Sequence, residues 1–186
     1  MERPKSVTGE SDAATIDKGG KYLTFKLGHE EFGVEILKVR ELIGLMDITA
    51  VPQMPACMKG VINLRGKVIP VIDLRLKFGM NEIEHTEQTC IIVVNVGREI
   101  GIIVDAVSEV LDIKGDNIEP PPSLGGSEGM SCILGMGKVG TAVKILLDIE
   151  SVLASDEVTE IAAATANAEP SPSTERVAKH DSLPSF

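Results

Sequence analysis

The sequence predicts an all-β protein built from two small, related subdomains. Short runs rich in β-branched residues recur along the chain, with glycine- and proline-containing turns between them. Aromatic residues make up only 3% of the 186 residues and tryptophan is absent, so the core must be built from Val, Ile and Leu. Such a core suits a small β-barrel. A third observation, an internal repeat described below, indicates two such units.

Composition divides the chain into a folded part and two polar ends. Residues 1–20 are rich in Gly, Ser, Asp and Thr, and residues 155–186 in Ala, Glu, Thr, Ser and Pro, which predicts a flexible leader and a disordered tail. The folded part is expected at 21–154, with a first barrel at about 21–80 and a second at about 88–150. A unit of ~60 residues buries only about 60% of its unfolded surface, so two such units gain stability by sharing an interface.

The first elements are a strand and a predicted short helix. Apolar and polar residues alternate over 22–27, which predicts the opening strand. Apolar residues in 36–43 fall at helical spacing, so we expect about two helical turns there. Leu37 and Val39 lie on that segment, and one of them is expected to be exposed beside Glu41.

A tight hairpin follows. Residues 61–64 and 67–74 are β-branched-rich runs on either side of Arg65 and Gly66, and the glycine supplies the positive φ that a two-residue turn requires. Arg65 is therefore expected at a stiff hairpin tip, where a guanidinium loses less freedom when it binds a carboxylate or carbonyl. The alternative is a solvated turn arginine. Pro70 in the second run predicts an edge strand or a bulge.

The second half of the chain supplies more strands. Residues 91–96 and 102–107 are near-continuous apolar runs, as expected for strands that are covered on both faces. Residues 119–129 are rich in Pro, Gly and Ser and predict an exposed loop. Alternation over 143–147 predicts the last strand, and apolar residues in 149–153 suggest a closing helical turn.

The internal repeat relates these halves. Gly33 and Glu41 recur as Gly101 and Glu109, both at an offset of 68 residues. The second copy is therefore also interpreted as a hairpin followed by a short helix. Two copies are too few for a repeat array, so we interpret them as two small β-subdomains. Chance similarity of two hairpins is the alternative.

A second pair of segments extends the repeat. Residues 64–68 are echoed by 135–139, which places Met136 at the position of the hairpin arginine. Asp73 and Asp148 also correspond. Each follows an apolar strand, where a carboxylate satisfies backbone donors at the strand end.

Charge and cysteine content limit the possible partners and the compartment. A net charge of −10 argues against nucleic acid and against an anionic membrane surface. No apolar run of about 20 residues is present to span a bilayer, and the first residues do not resemble a secretory signal. Three cysteines, Cys57, Cys90 and Cys132, lack C-x-x-C spacing, so we expect free thiols and a cytoplasmic location.

Two motif matches and three histidines give little support for catalysis. Residues 125–129 match G-x-S-x-G with Ser127 as the nucleophile, but prolines and glycines flank the match instead of a strand and a helix. Residues 135–140 match G-x-G-x-x-G, yet a strand-like pattern follows. The histidines lie in a hairpin turn, a polar junction and the tail, without metal-ligand spacing: His29, His85 and His180. We therefore expect no catalytic residue, metal or cofactor.

Three runs carry a family resemblance. Residues 31–39 (EFGVEILKV), 59–66 (KGVINLRG) and 69–75 (IPVIDLR) resemble the CheW family of chemotaxis coupling proteins, and the likeness extends over about 21–153. It implies two SH3-like β-barrels, in agreement with the duplication. It also implies a non-catalytic adaptor that bridges the cytoplasmic tips of membrane chemoreceptors to the regulatory domain of the histidine kinase CheA, a domain of the same fold.

The resemblance also implies binding residues. The receptor-facing groove of the family lies between the barrels, and the matching positions here are Val39, Glu41, Lys59, Cys90 and Val110. Kinase coupling is assigned to Arg65, with Asn63 and Leu64 beside it. Cys90 replaces a residue that is usually β-branched in the family, and the turn at 97–99 is one residue short. The expected location is the cytoplasm, with recruitment to membrane-associated receptor arrays.

Two alternative functions remain at this point. One is an SH3-like peptide-binding module with another signalling partner, although grooves for proline-rich peptides are lined with aromatic rings, which are scarce here. The other is a hydrolase that uses Ser127. Within the adaptor hypothesis, strand edges near Pro70 are the expected place for contact with the kinase.

Overall fold

The computed structural model describes residues 18–122 and 131–154, which fold into two β-sheets with two short helices. The all-β prediction is confirmed, and the sheets form two SH3-like barrels. The strands are β1 (Gly20–Leu27), β2 (Glu30–Glu35), β3 (Val39–Gly44), β4 (Met58–Leu64), β5 (Lys67–Asp73), β6 (Cys90–Asn95), β7 (Glu99–Val104), β8 (Ala106–Ile113), β9 (Ile118–Glu119), β10 (Ile133–Val139) and β11 (Ala142–Leu147). The helices are α1 (Leu74–Lys77) and α2 (Ile149–Leu153).

Each sheet combines strands of one sequence repeat with one hairpin of the other repeat, so the two repeats exchange a hairpin. One sheet has the order β8-β1-β2-β11-β10-β9, and the other has the order β3-β6-β7-β5-β4. The exchanged hairpins join through parallel pairs, β2 with β11 and β7 with β5, which place Gly33 opposite Leu146 and Gly101 opposite Val71. A Cβ at Gly33 would lie 2.9 Å from Leu146 Cδ2. The repeated glycine therefore marks the point where a hairpin of one repeat packs closely against the other repeat.

This exchange corrects the expected assignment of strands to barrels. The division at 21–80 and 88–150 placed β1 and β2 with β3–β5, whereas they share a sheet with β8–β11. Because both repeats have the same pattern of strands, sequence order does not reveal which copy a hairpin pairs with. The tail at 155–186 and all but the last three residues of the leader lie outside the described residues.

The predicted helix after β2 is wrong, as is its counterpart in the second repeat. Residues 36–38 form one 3₁₀ turn, and the chain then enters β3, while the equivalent segment is β8. A bulge explains the misleading pattern, because Val39 lies opposite Val94 and Glu41 opposite Val93. One extra residue in a strand shifts its alternation, so apolar residues recur at intervals of three as in a helix. Leu37 is exposed, as one of the two candidates was expected to be.

The main core lies between the two sheets. Its buried residues come from both sheets: Leu23, Phe25, Leu27, Phe32 and Val34 on β1 and β2, and Ile72, Ile92, Val94, Ile100, Ile102 and Val104 on β5, β6 and β7. Each barrel has its own smaller interior, with Ile62, Ile69, Val71, Ile91, Val93 and Ile103 in one and Tyr22, Ile113 and Leu146 in the other. The shared layer is larger than either interior, so each barrel depends on the other for much of its burial.

The hairpin prediction is confirmed. Arg65 and Gly66 connect β4 and β5 with φ of 51° and 83°, the two left-handed conformations of a type I′ turn. The Met136 correspondence is wrong, because Met136 lies within β10 and the turn before β11 is at Gly140 and Thr141. Gly140, with φ of 61°, therefore occupies the position of Arg65 in the second copy.

The two matched aspartates perform the role expected from their position. Asp73 accepts from the backbone N–H groups of Arg75 and Leu76 at the start of α1. Asp148 accepts from the N–H groups of Glu150 and Ser151 at the start of α2. Both are helix N-caps, which satisfy backbone donors that have no partner within the helix.

Of the two alternatives predicted at Pro70, the edge strand is wrong, since β5 lies inside its sheet between β4 and β7. A bulge does lie nearby, because Met58 pairs with Ile72 and Gly60 with Val71, which leaves one extra residue in β4. Pro70 is paired with Val61 of β4, and the pairing with β7 begins only at Val71. The proline is therefore at the end of one ladder, where a missing N–H costs little. Among the described residues, no helix is long and apolar enough to cross a membrane.

Candidate functional site

The first candidate region is the tip of the β4–β5 hairpin. Arg65 Nη1 donates to Glu41 Oε1 at 3.0 Å, and Nη2 donates to Oε2 at 2.5 Å. The backbone N–H of Gly66 donates to Asn63 Oδ1 at 2.9 Å, which closes the turn beneath the arginine. A bidentate arginine–carboxylate pair fixes direction as well as distance. The Arg65 side chain is nevertheless 73% exposed, so it is oriented and still accessible.

The charge state of this pair follows from its hydrogen bonds. The Arg65 hydrogen bond lowers the pKa of the Glu41 carboxyl below its usual value, and the Glu41 hydrogen bond raises the pKa of the Arg65 guanidinium. Both shifts favour the charged forms. Glu41 is therefore a carboxylate at neutral pH, and its negative charge is directed at the hairpin tip.

The pair borders a charged depression of about 320 Å³. It is lined by Arg40, Glu41, Leu64, Arg65, Lys67, Val93 and Glu99. Glu99 lies between two cations, with its Oε1 3.7 Å from Arg40 Nε and its Oε2 3.3 Å from Lys67 Nζ. Three cations and two carboxylates therefore surround one small surface, whose apolar part is supplied by Leu64 and Val93.

A second candidate region is a groove between the two sheets. It has a volume of about 560 Å³ and is lined by Lys26, Glu31, Gln88, Cys90, Ala106, Val107 and Ser108. Cys90 is half-buried at the start of β6, and burial raises the pKa of its thiol. The thiol is therefore neutral at pH 7 and contributes an apolar contact rather than a charge.

The remaining predicted receptor positions are dispersed. Val110 is exposed on β8, opposite Leu23 of β1 and two residues beyond the groove residue Ser108. Val39 is half-buried against the core between the sheets. Lys59 lies on β4 and forms an ion pair with Glu82 in the connection before β6.

The structure therefore separates residues that the sequence analysis grouped together. Glu41 belongs with Leu64 and Arg65 in the charged depression, and Cys90 belongs with β8 in the groove. The roles assigned to these residues in receptor and kinase binding stay predictions.

Sequence reasoning missed three charged residues of the depression: Arg40, Lys67 and Glu99. They are separated by 27 and 32 residues, and only the order of strands β3, β6, β7 and β5 in one sheet brings them together. The one available signal in the sequence was the position of Lys67 directly after the Arg65-Gly66 turn, which places a second cation near the hairpin tip.

Sequence reasoning also missed a largely buried ion pair that joins the two repeats. Arg75 Nη1 donates to Asp105 Oδ2 at 2.5 Å, and the N–H of Gly28 donates to the same oxygen at 2.7 Å. Arg75 Nε donates to the carbonyl of Asn81 at 3.0 Å. Asp105 adjoins the groove residue Ala106, so this pair fixes one wall of the groove.

The motif matches give no reaction centre among the described residues. The G-x-G-x-x-G match lies along β10 and its hairpin turn, and β11 follows in place of a helix. Within 18–122 and 131–154, no three His, Cys, Asp or Glu side chains are grouped to hold a metal ion. Ser127 and His180 lie outside the described residues.

Two fused SH3-like barrels thus present an oriented surface arginine and an inter-barrel groove, and among the described residues they present no reaction centre. The sequence matches the CheW-like domain over residues 21–157. The chain therefore belongs to the CheW-like family of chemotaxis adaptor proteins, which confirms the resemblance noted in the sequence.

Individual relatives support this assignment. The chain is 42% identical over 152 residues to the chemotaxis protein CheW of Klebsiella aerogenes, a match that covers 78% of this chain and 92% of the relative. It is 37% identical over 147 residues to the chemotaxis protein CheW of Rhizobium meliloti, covering 78% and 95%. The crystal structure of the scaffolding protein TtCheW from Thermoanaerobacter tengcongensis superposes with a TM-score of 0.68 at 34% identity, covering 75% of this chain and 95% of that chain.

Proposed function

We propose that this protein is a non-catalytic adaptor that couples the cytoplasmic tips of membrane chemoreceptors to the regulatory domain of the histidine kinase CheA. The observation that carries the proposal is the bidentate pair of Arg65 and Glu41, which orients an exposed guanidinium on a stiff hairpin. An oriented donor loses little conformational entropy on binding. This is the arrangement that a permanent docking surface requires.

The kinase contact is assigned to the hairpin tip, with Asn63, Leu64 and Arg65 as its residues. Asn63 closes the turn, and Arg65 presents its exposed face to the partner. Leu64 lines the adjoining depression and supplies apolar area. A few such residues dominate the free energy of binding in most interfaces.

The receptor contact is assigned to the groove between the sheets and to its surroundings. The residues proposed from the family resemblance are Val39, Glu41, Lys59, Cys90 and Val110. Cys90 lines the groove, whereas Glu41 lies in the charged depression beside Arg65. Val110 supports the assignment because its side chain is 49% exposed, and its burial by a partner would contribute favourably to the free energy of binding. The neutral thiol of Cys90 supports it as well, since an uncharged side chain adds an apolar contact to the lining of the groove.

Coupling follows from simultaneous binding by one rigid body. The two regions lie on different parts of a molecule whose barrels share one core, so a receptor and a kinase held together act at high effective concentration. If one receptor state binds the adaptor more tightly than another, the difference in binding free energy shifts the equilibrium of the bound kinase by the same amount. The protein would then work in the cytoplasm and be recruited to receptor arrays at the membrane.

The alternative of a module for proline-rich peptides receives no support from the described aromatic side chains. Tyr22, Phe25 and Phe32 are buried, and Phe78 packs against Phe32 with ring centroids 5.7 Å apart. These rings form the core, so they are not available to line a peptide groove.

The test is reconstitution from purified components. The full chain is mixed with the CheA regulatory domain and a receptor tip fragment, and the mass of the complex is measured by size-exclusion chromatography with light scattering. We expect a complex of all three, and pairwise complexes with each partner alone. If the folded chain binds neither partner at micromolar concentration, the proposal is wrong.

A further inference from the structure

The net charge of the depression is positive, whereas the net charge of the whole chain is negative. Arg40, Arg65 and Lys67 face Glu41 and Glu99, so three cations meet two carboxylates, whereas the whole chain has a net charge of −10. These cations are exposed: 59% for Arg40, 73% for Arg65 and 72% for Lys67. A local excess of positive charge on an acidic protein attracts an anionic group of a partner.

The two carboxylates of the depression differ in how closely they contact its cations. Each oxygen of Glu41 accepts one hydrogen bond from Arg65, at 3.0 and 2.5 Å. Glu99 is shared between Arg40 and Lys67 at 3.7 and 3.3 Å, which is longer than the roughly 2.7–2.9 Å of a charge-assisted hydrogen bond. Arg40 and Lys67 therefore retain donor capacity for a second carboxylate.

The network has little value as a stabilising device. Exposed ion pairs contribute about 0–1 kcal/mol to folding, and the cations here are more than half exposed. The floor beside them is apolar, with Leu64 and Val93 lining the same depression. A carboxylate on a short apolar stem, as in glutamate, matches this combination of charges and apolar floor.

We propose that the charged depression binds a carboxylate of an acidic segment on the kinase regulatory domain, and that this carboxylate displaces Glu99 from Arg40 and Lys67. This inference rests on the proposed function, because it names the chemistry of the partner beside the Arg65 hairpin. Arg65 stays paired with Glu41 and positions the segment. Glu99 occupies the site until the partner arrives.

The experiment uses two variants with opposite expected effects and one matched control. Lys67→Glu should weaken binding of the full chain to the purified kinase regulatory domain by about tenfold, since attraction becomes repulsion. Glu99→Gln should tighten binding by about two- to fivefold, because it removes the competing internal carboxylate. Lys138→Glu is the control, since Lys138 is an exposed lysine paired with Glu119 on the other barrel, and it should bind like wild type.

Isothermal titration calorimetry at 50 and 200 mM salt separates the possible outcomes. The wild-type affinity should fall with salt, and the fall should be smaller for Lys67→Glu. If wild type binds but Glu99→Gln binds equally or more weakly, the displacement is refuted while the adaptor function stands. Equal losses for Lys67→Glu and Lys138→Glu would attribute the effect to net charge and also refute the site. If wild type does not bind the regulatory domain at all, both this inference and the proposed kinase coupling fail.

Discussion

Arg75 and Asp105 form a largely buried ion pair that joins the two sequence repeats, with Arg75 Nη1 2.5 Å from Asp105 Oδ2. Arg75 lies in α1 of the first repeat, and Asp105 lies between β7 and β8 of the second. Their side chains are 11% and 20% exposed. The same Asp105 oxygen accepts from the N–H of Gly28 in the turn between β1 and β2. One carboxylate thus joins three segments, of which the β1–β2 hairpin and the start of β8 also contribute residues to the inter-barrel groove.

The first prediction concerns removal of this carboxylate. Asp105→Ala should lower the free energy of unfolding by about 2–3 kcal/mol, because it leaves the Arg75 cation and the Gly28 N–H without their partner in a mostly buried site. Chemical denaturation followed by circular dichroism measures the change. Asp112→Ala on the exposed part of β8 is the control and should change stability by less than about 0.5 kcal/mol. Equal effects of the two substitutions would contradict a structural role for the pair.

The second prediction separates stability from binding at the hairpin tip. Arg65 adopts φ of 51°, where an L side chain is disfavoured, and the equivalent residue of the other hairpin is Gly140. Arg65→Gly should relieve that strain while it adds freedom to the unfolded chain, so stability should stay within about 1 kcal/mol of wild type. Kinase binding should nevertheless be lost in the calorimetric assay. A stable Arg65→Gly variant that binds normally would show that the guanidinium is not part of the contact.

The third prediction concerns acid titration of Glu41. Its pKa lies below the ordinary 4.5 because Arg65 donates to the carboxylate. A lowered folded-state pKa means that the contribution to stability is complete above the unfolded-state pKa and is lost as pH falls through the folded value. The pair is therefore intact from pH 6 to 8. NMR titration of the Glu41 side-chain carboxyl should give a midpoint below 4.5, and Arg65→Ala should raise it; a midpoint of 4.5 or above in wild type would contradict the pair.

The fourth prediction tests the groove through Cys90. Burial raises the pKa of its thiol, so the reactive thiolate is scarce at pH 7 and reaction with iodoacetamide should be slower than for a free cysteine. A Cys57→Ala, Cys132→Ala background leaves this one thiol to be followed by mass spectrometry. A receptor tip fragment should slow the reaction further, whereas unchanged labelling in the presence of bound fragment would place the receptor contact elsewhere. Cys90→Val should preserve binding, since a β-branched apolar residue fits the same half-buried position.

Much of the fold could be predicted from the sequence because local rules determine it. The turn at Arg65 and Gly66 follows from two strands and a glycine, and the roles of Asp73 and Asp148 follow from their places after strands. The strand β3 could not be recognised, because a bulge after Val39 gives it helical spacing. A bulge depends on the partner strand, and the sequence of one strand does not contain that information.

The candidate site shows the same limit more strongly. Arg65 was predictable because a turn presents it, whereas its carboxylate partner Glu41 lies 24 residues away on another strand. Glu99 joins the same surface only after β6 pairs with β3 and β7 pairs with β6. The hairpin exchange adds to this difficulty, since two similar hairpins could each pair with either repeat. The pairing of distant strands therefore determines which charged residues meet at the site, whereas local sequence patterns predict only the hairpin that presents Arg65.

The last prediction tests the exchange of hairpins at its two equivalent contact points. A Cβ at Gly33 would lie 2.9 Å from Leu146 Cδ2 of the other repeat. A Cβ at Gly101 would lie 3.3 Å from Val71 Cγ2 of the other repeat and 2.8 Å from Ile91 Cγ2 within its own hairpin. Gly33→Ala and Gly101→Ala should therefore each lower the free energy of unfolding by about 1–3 kcal/mol through overpacking. Gly44→Ala on β3 is the control, because a Cβ there meets nothing within 4 Å. Urea denaturation of the three variants measures the difference. If Gly33→Ala is as stable as Gly44→Ala, the β1–β2 hairpin does not pack against β11 at Gly33, and the repeats must pair in another way.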